Sequence, residues 1–147
     1  MTGEIRFQRA NFLVQNIEVA LRFYVDVLGL KLEFIKDSPE DSYSYEVFEI
    51  PRNLKIRFAV LSTADQVRVM ALTEVPVPPP PHIGPRQSAI VIDSPEFDTV
   101  VEGARALGLK MYEEDRLVTH DGRVGRELGI VDKDNNLVVI YTIPENQ

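Results

Sequence analysis

The chain contains no cysteine, which excludes disulfides, thiolate metal sites and a cysteine nucleophile and makes folding independent of an oxidising compartment. It contains only two histidines, His82 and His120. Basic residues are the minority: 16 Lys and Arg stand against 23 Asp and Glu, for a net charge of −7 and a pI near 4.8. An acidic surface repels nucleic acid phosphates and anionic lipid, so neither is expected as a partner. No apolar run approaches the ~18 residues of a membrane span. The opening residues, MTGEIRFQRANF, carry no signal-peptide core, and a cytoplasmic protein is expected. What remains is an ordinary globular composition, with 44% hydrophobic residues in a chain of 147, read as one compact domain.

Within that length one pattern occurs nearly twice. Residues 12–32 and residues 90–111 each run from an apolar stretch, through a short polar turn and an amphipathic segment, to Leu-Gly-Leu-Lys. These blocks begin at Leu28 and Leu107. The chain therefore reads as two similar halves, about 5–75 and 86–144. A duplicated half-fold usually holds its ligand at or between the halves.

Hydrophobic spacing fills in the elements. Residues 5–14 read as a strand, Ile17–Leu28 as a helix closed by Gly29, and Lys31–Ile35 as a strand. The stretches 43–50, 55–61 and 66–73 read as a strand meander, from their Tyr, Val, Phe and Ile content. The prolines of Pro76–Pro85 lack a backbone donor and fix φ, so the segment reads as a semi-rigid extended connector, or alternatively as a ligand for proline-recognition domains. In the second half, 87–92, 109–113, 126–131 and 137–143 read as strands, and 97–107 as a helix closed by Gly108. Each half is then a strand, a helix and three strands, with one extra strand possible in the first.

The chain resembles the vicinal oxygen chelate superfamily, which includes glyoxalase I, extradiol dioxygenases, epimerases and bleomycin-resistance proteins. The resemblance lies in Val14-Gln15-Asn16, in the block from Phe23 to Leu30, in Gly108-Leu109, and in the turn Asp132-Lys133-Asp134-Asn135-Asn136-Leu137. It covers nearly the whole chain, and the Phe23–Leu30 block is its specific part. It implies an α+β fold of two tandem βαβββ modules forming a curled sheet around a cavity, and a homodimer.

Enzymes of that superfamily usually hold a divalent metal with His, Glu or Gln. Carried over position by position, the resemblance places the four ligands at Arg9, Ala71, Gln87 and Val139. A guanidinium repels a cation, alanine and valine donate nothing, and one amide cannot replace the water a hard ion loses. A slip of one residue does not restore a site, because Gln8, Ala10, Met70, Leu72, Val138 and Ile140 are not ligands and Ser88 is a poor one. No metal cofactor is expected.

Asp132, Asp134 and Asn136 have the alternate spacing of a calcium loop, but the following glycine and terminal glutamate are missing, so a turn is expected. Gly122, Gly125 and Gly129 lack phosphate-loop spacing. His82 and His120 read as loop histidines. His120, beside Asp121, is also a candidate general base, and Arg9 a candidate electrophile. If strand parity follows the resemblance, Arg9, Asn11 and Gln87 face the cavity. Arg9 either pairs with a carboxylate there or stands in for the metal as a fixed positive charge. Tyr43, Tyr45, Arg57, Arg68 and Tyr141 are further candidate ligand contacts, each equally readable as sheet packing or surface.

Two functions follow from the resemblance. One is metal-independent binding of a small organic molecule, possibly anionic or aromatic, in the manner of bleomycin-resistance proteins. The other is a glyoxalase-like lyase, isomerase or epimerase using Arg9 in place of the metal. A metal-dependent lyase or dioxygenase is disfavoured by the four positions.

Overall fold

The structure is a computed structural model, which describes residues 3–145. By its internal packing the chain divides into two compact units. One comprises the residues up to Ile17 together with Gly29–Val77, and the other Glu18–Leu28 together with Pro78 onward.

The first unit is built on a four-stranded sheet of order β1-β4-β3-β2, from β1 (Ala10–Val14), β2 (Lys31–Asp37), β3 (Arg57–Ser62) and β4 (Met70–Glu74). The β1–β4 pairing is parallel, and the rest antiparallel. Ala59, Val60, Leu61 and Leu72 are wholly buried in it. At one end of the sheet Glu74 accepts from Arg57 Nε at 2.8 Å and from the Ile17 backbone N–H, also at 2.8 Å. Each oxygen of this carboxylate therefore has a donor.

The expected strand over 43–50 is instead a short helix, α2 (Tyr43–Val47). Its cause is local: Ser42 accepts a hydrogen bond from the Ser44 N–H at 3.2 Å, satisfying a donor that an isolated turn leaves orphaned. That turn aims Tyr45 into a small core with Ile50 and Ile56, where its hydroxyl donates to the Leu54 carbonyl at 2.6 Å.

The second unit repeats the strand order. Its sheet runs β5-β9-β8-β6, from β5 (Ile90–Asp93), β6 (Lys110–Met111), β8 (Val124–Val131) and β9 (Leu137–Thr142). Again the first and last strands pair in parallel. A further strand, β7 (Asp115–Val118), pairs with the start of β8. The extra strand thus belongs to the second half, whereas the sequence left one possible in the first.

Helix α1 (Ile17–Leu21) continues as a π-helical stretch, Arg22–Val27, in which the Leu28 N–H reaches back to the Phe23 carbonyl at 2.7 Å. This stretch packs on α3 (Phe97–Ala106). The contact is close: a Cβ on Gly103 would lie 2.8 Å from Val27 Cγ1. Gly29 and Gly108 follow the two helical segments with φ of 94° and 72°, which glycine adopts without strain.

Alternation along β8 and β9 separates two faces of the second sheet. Leu128, Ile130, Val138 and Ile140 are buried on the face that carries α3. Arg126, in the same alternation, lies 4.4 Å from the centre of the Phe97 ring of α3. Glu127, Gly129, Leu137, Val139 and Tyr141 occupy the opposite, half-exposed face. Among the described residues no helix is long and apolar enough to cross a membrane.

Candidate functional site

The half-exposed face of the second sheet forms a cleft of about 520 Å³. Its floor is Gly129, Leu137 and Val139. One wall is the link from β6 to β7, through Tyr112, Glu113 and Asp115. The other is the end of the proline-rich segment, through His82, Gly84, Pro85 and Arg86.

The expected connector is therefore a wall of the cleft. It is tied to the β8–β9 turn by two hydrogen bonds. Arg86 Nη1 donates to the Asn135 carbonyl at 2.8 Å, and Asn135 Nδ2 donates to the Pro80 carbonyl at 3.1 Å. Asn135 stands at φ 69°, a left-handed conformation that asparagine tolerates better than most side chains.

Tyr112 is the aromatic wall. Its ring lies against Gly129, where a Cβ would meet Tyr112 Cδ2 at 3.1 Å. Its hydroxyl accepts from Arg86 Nε at 3.5 Å, and Lys110 Nζ sits 5.0 Å from the ring centre. The Arg86 contact, helped by the Lys110 charge and opposed by partial desolvation, holds the phenol below the ordinary tyrosine value.

Glu127 lies at the other end of the floor. In the strand register it stands directly opposite Asp115 on β7 and Tyr141 on β9. It is half-buried, and its carboxylate has no ion-pair or hydrogen-bond partner among the described residues. Beyond it a second hollow, of about 310 Å³, is lined by Val91, Leu117, His120, Arg123 and Tyr141, with Glu127 common to both. In that hairpin Arg123 is paired with Asp121 at 3.2 Å, and Thr119 donates to Asp121 as well. Those two contacts, Thr119 first, hold the exposed Asp121 carboxyl below its ordinary value.

Of the residues singled out from sequence, the structure brings Tyr141 and His120 together around this second hollow. Gln87 is exposed, ahead of β5 and next to Arg86. In the first unit, Arg9 is exposed just ahead of β1, and Tyr43 is exposed on α2. Asn11 stands opposite Ala71 in the β1–β4 register. Its Oδ1 accepts from Thr73 Oγ1 at 2.9 Å, while its buried Nδ2 has no partner among the described residues. Tyr45 belongs to the core described above, and Arg57 is the partner of Glu74. Arg68, at φ 55°, donates its backbone N–H to Ser62 Oγ at 2.7 Å.

Arg86, Tyr112 and Glu127 were not singled out from sequence. For Glu127 a signal existed: the Glu-Leu-Gly-Ile alternation puts it and Gly129 on one face. For Arg86 there was none, because its position depends on where the proline segment lands.

The four positions where the resemblance places metal ligands carry a poor donor set. Val139 lies on the cleft floor opposite Gly129, and Ala71 is buried opposite Asn11; neither side chain has a donor atom. Arg9 and Gln87 both precede their strands. Among the described residues no group of three or more His, Asp or Glu side chains is arranged to hold a metal. These residues do not fit a divalent ion.

Residues 6–140 match the Glyoxalase/Bleomycin resistance protein/Dioxygenase superfamily. No curated protein matches the sequence. Among solved structures, the chain is similar to a glyoxalase family protein of Bacillus cereus, with a TM-score of 0.72 and 15% identity over 97% of this chain and 96% of that one. It is similar to the trypanothione-dependent glyoxalase I of Leishmania major, with a TM-score of 0.67 and 19% identity over 95% of this chain and 87% of that one. It is also similar to the fosfomycin resistance protein FosX of Listeria monocytogenes, solved with Mn(II) and sulfate, with a TM-score of 0.60 and 15% identity over 97% of this chain and 93% of that one. At these identities the likeness is one of fold.

Proposed function

We propose, for a chain that belongs to the Glyoxalase/Bleomycin resistance protein/Dioxygenase superfamily, that it binds a small organic molecule on the open face of its second sheet without a metal ion. The observation that carries this reading is the cleft over Val139. Where the resemblance puts the last metal ligand, the chain has an apolar floor with charged and aromatic walls. Small-molecule sites commonly measure ~300–1,000 Å³ and combine an apolar lining with a few placed polar groups. The cleft meets both conditions. The same reading carries a cytoplasmic homodimer.

Native mass spectrometry of the purified protein, compared with its denatured mass, tests this directly. The expected result is a dimer that releases an organic adduct on denaturation and holds no divalent ion. One divalent ion per subunit would overturn it.

A second reading is favoured by Glu127, a half-buried carboxylate with no partner among the described residues. Such a group is placed to take a proton from a bound molecule, as an isomerase or epimerase would need. A sequestering protein returns its ligand unchanged in deuterated water. An isomerase incorporates deuterium, and loses that exchange in Glu127→Gln.

A further inference from the structure

The two ends of the cleft differ in charge, and at each end a charged group is held without a counter-ion. Arg86 is fixed by Asn135 and lies beside the Tyr112 hydroxyl, yet no carboxylate pairs with it among the described residues. A guanidinium has five N–H donors, and these two contacts use two of them. At the other end Glu127 stands in register with Asp115. Like charges directly opposite one another on adjacent strands destabilise a sheet, and no cationic side chain of the described residues relieves this pair. Between the ends lie Gly129 and Val139, with the Tyr112 ring beside them. The middle is thus apolar, with one aromatic face.

We infer that the cleft takes a dipolar ligand, whose anionic group meets Arg86, whose flat apolar body lies beside Tyr112 over Gly129, and whose cationic amine meets Glu127 and Asp115. This inference rests on the binding function proposed above and names the class of ligand. Two strand residues, roughly 7 Å, separate Glu127 from Gly129. The Arg86 guanidinium lies farther along, at the turn with Asn135, so the charges of the ligand are at least about a benzene ring apart, and an α-amino acid, with both charges on one carbon, does not span them. A carboxylate or phosphonate suits the planar fork of Arg86, because paired N–H donors bind such groups in two places at once.

The test is a titration of the full-length protein with three probes of similar shape, followed by amide chemical shifts and calorimetry. The probes are para-aminomethylbenzoate, para-methylbenzoate and benzylamine. The dipolar probe is expected to bind best and to shift the Tyr112 and Gly129 amides. Removing either charge from the probe should weaken binding roughly tenfold or more, as for a lost charge-assisted hydrogen bond. In Arg86→Gln the preference for the carboxylate should vanish and that for the amine remain. Glu127→Gln should do the reverse. Both variants alter exposed or half-exposed groups, and unchanged melting confirms that they fold.

Equal binding of the singly charged probes would overturn the inference and leave the binding function standing. So would shifts confined to other residues. Failure of all three probes, in a protein that still releases an organic adduct, would also overturn the inference alone. Failure of the probes together with the absence of any adduct would overturn both.

Discussion

Tyr24 Oη donates to Asp132 Oδ2 at 2.7 Å, joining the π-helical stretch after α1 to the β8–β9 turn across most of the chain's length. Tyr24 is wholly buried and its ring meets Phe23 edge to face at 4.9 Å. Asp132 also accepts from the backbone N–H groups of Asp134 and Asn136, at 2.8 and 2.9 Å, and from Asn136 Nδ2 at 3.0 Å. The carboxylate thus sets the turn internally and fastens it to the helix. Two of the motifs that carry the family resemblance are the two ends of one hydrogen bond.

Tyr24→Phe keeps the ring and removes one donor from a buried carboxylate. Hydrogen bonds to charged groups contribute about 1.5–3 kcal/mol, so a loss in that range is expected. Urea unfolding would show it as a lower midpoint at unchanged slope. An unaltered midpoint would mean that the bond does not hold the turn.

The same pair sets an alkaline limit. Burial first, and then the Asp132 charge and hydrogen bond, push the Tyr24 phenol well above its ordinary value. A raised folded value means that the unfolded chain loses the proton first. The stabilisation is complete below the unfolded value of about 10, and is lost as pH rises through the folded value. Urea midpoints measured on either side of pH ~10 should fall less steeply in Tyr24→Phe than in the parent.

Much of the fold was legible because it rests on local rules. Gly29 and Gly108 close helical segments where the Leu-Gly-Leu-Lys repeat placed them, and alternation in β8 and β9 separates buried from open faces. Two departures have physical causes. The 43–50 stretch alternates like a strand, but the Ser42 cap and the packing of Tyr45 make it helical. No element is read between 113 and 126, yet Asp115 opens β7, because β8 is long enough to pair with it. Of the cleft, sequence reasoning reached Val139 on the floor and His82 on a wall, while Tyr141 lines the neighbouring hollow. Its Arg86 wall comes from a hydrogen bond to Asn135, made across 49 positions of sequence, and no local pattern encodes that.

On the opposite face, Arg126 binds Asp98 of α3 at 2.8 Å and Glu114 at 2.7 Å. Its hydrogen bonds hold both exposed carboxyls below their ordinary values. Depressed values stabilise the fold above the unfolded carboxylate range of about 4, and that contribution is lost as pH falls through the depressed values. In Arg126→Met both carboxyl titrations, followed by NMR, should move upward. The stability gap between variant and parent should close in acid.

Chelation should leave the protein unchanged. Ala71 and Val139 offer no donor, and Arg9 and Gln87 precede their strands, so EDTA removes nothing that the fold depends on. The melting temperature before and after EDTA is expected to be the same. A drop reversed by one added divalent metal would restore metal-dependent chemistry to consideration.

Two glycines of β8 should separate stability from the site. A Cβ on Gly125 would lie 2.2 Å from the Thr142 carbonyl oxygen, a backbone atom held in the sheet, so β9 must shift to admit it. Gly125→Ala should therefore cost on the order of 2–4 kcal/mol, in the upper range of single substitutions. At Gly129 the obstacle is the Tyr112 ring, at 3.1 Å, and Tyr112 is 45% exposed and free to swing outward. Gly129→Ala should leave stability within about 1 kcal/mol of the parent, since alanine also limits the unfolded chain. It should instead separate Tyr112 from Arg86, and the phenol should titrate closer to an ordinary tyrosine. Phenolate absorbance followed against pH reads this. If the titration stayed in place while stability collapsed, Gly129 would be a packing residue and Tyr112 no part of a formed cleft.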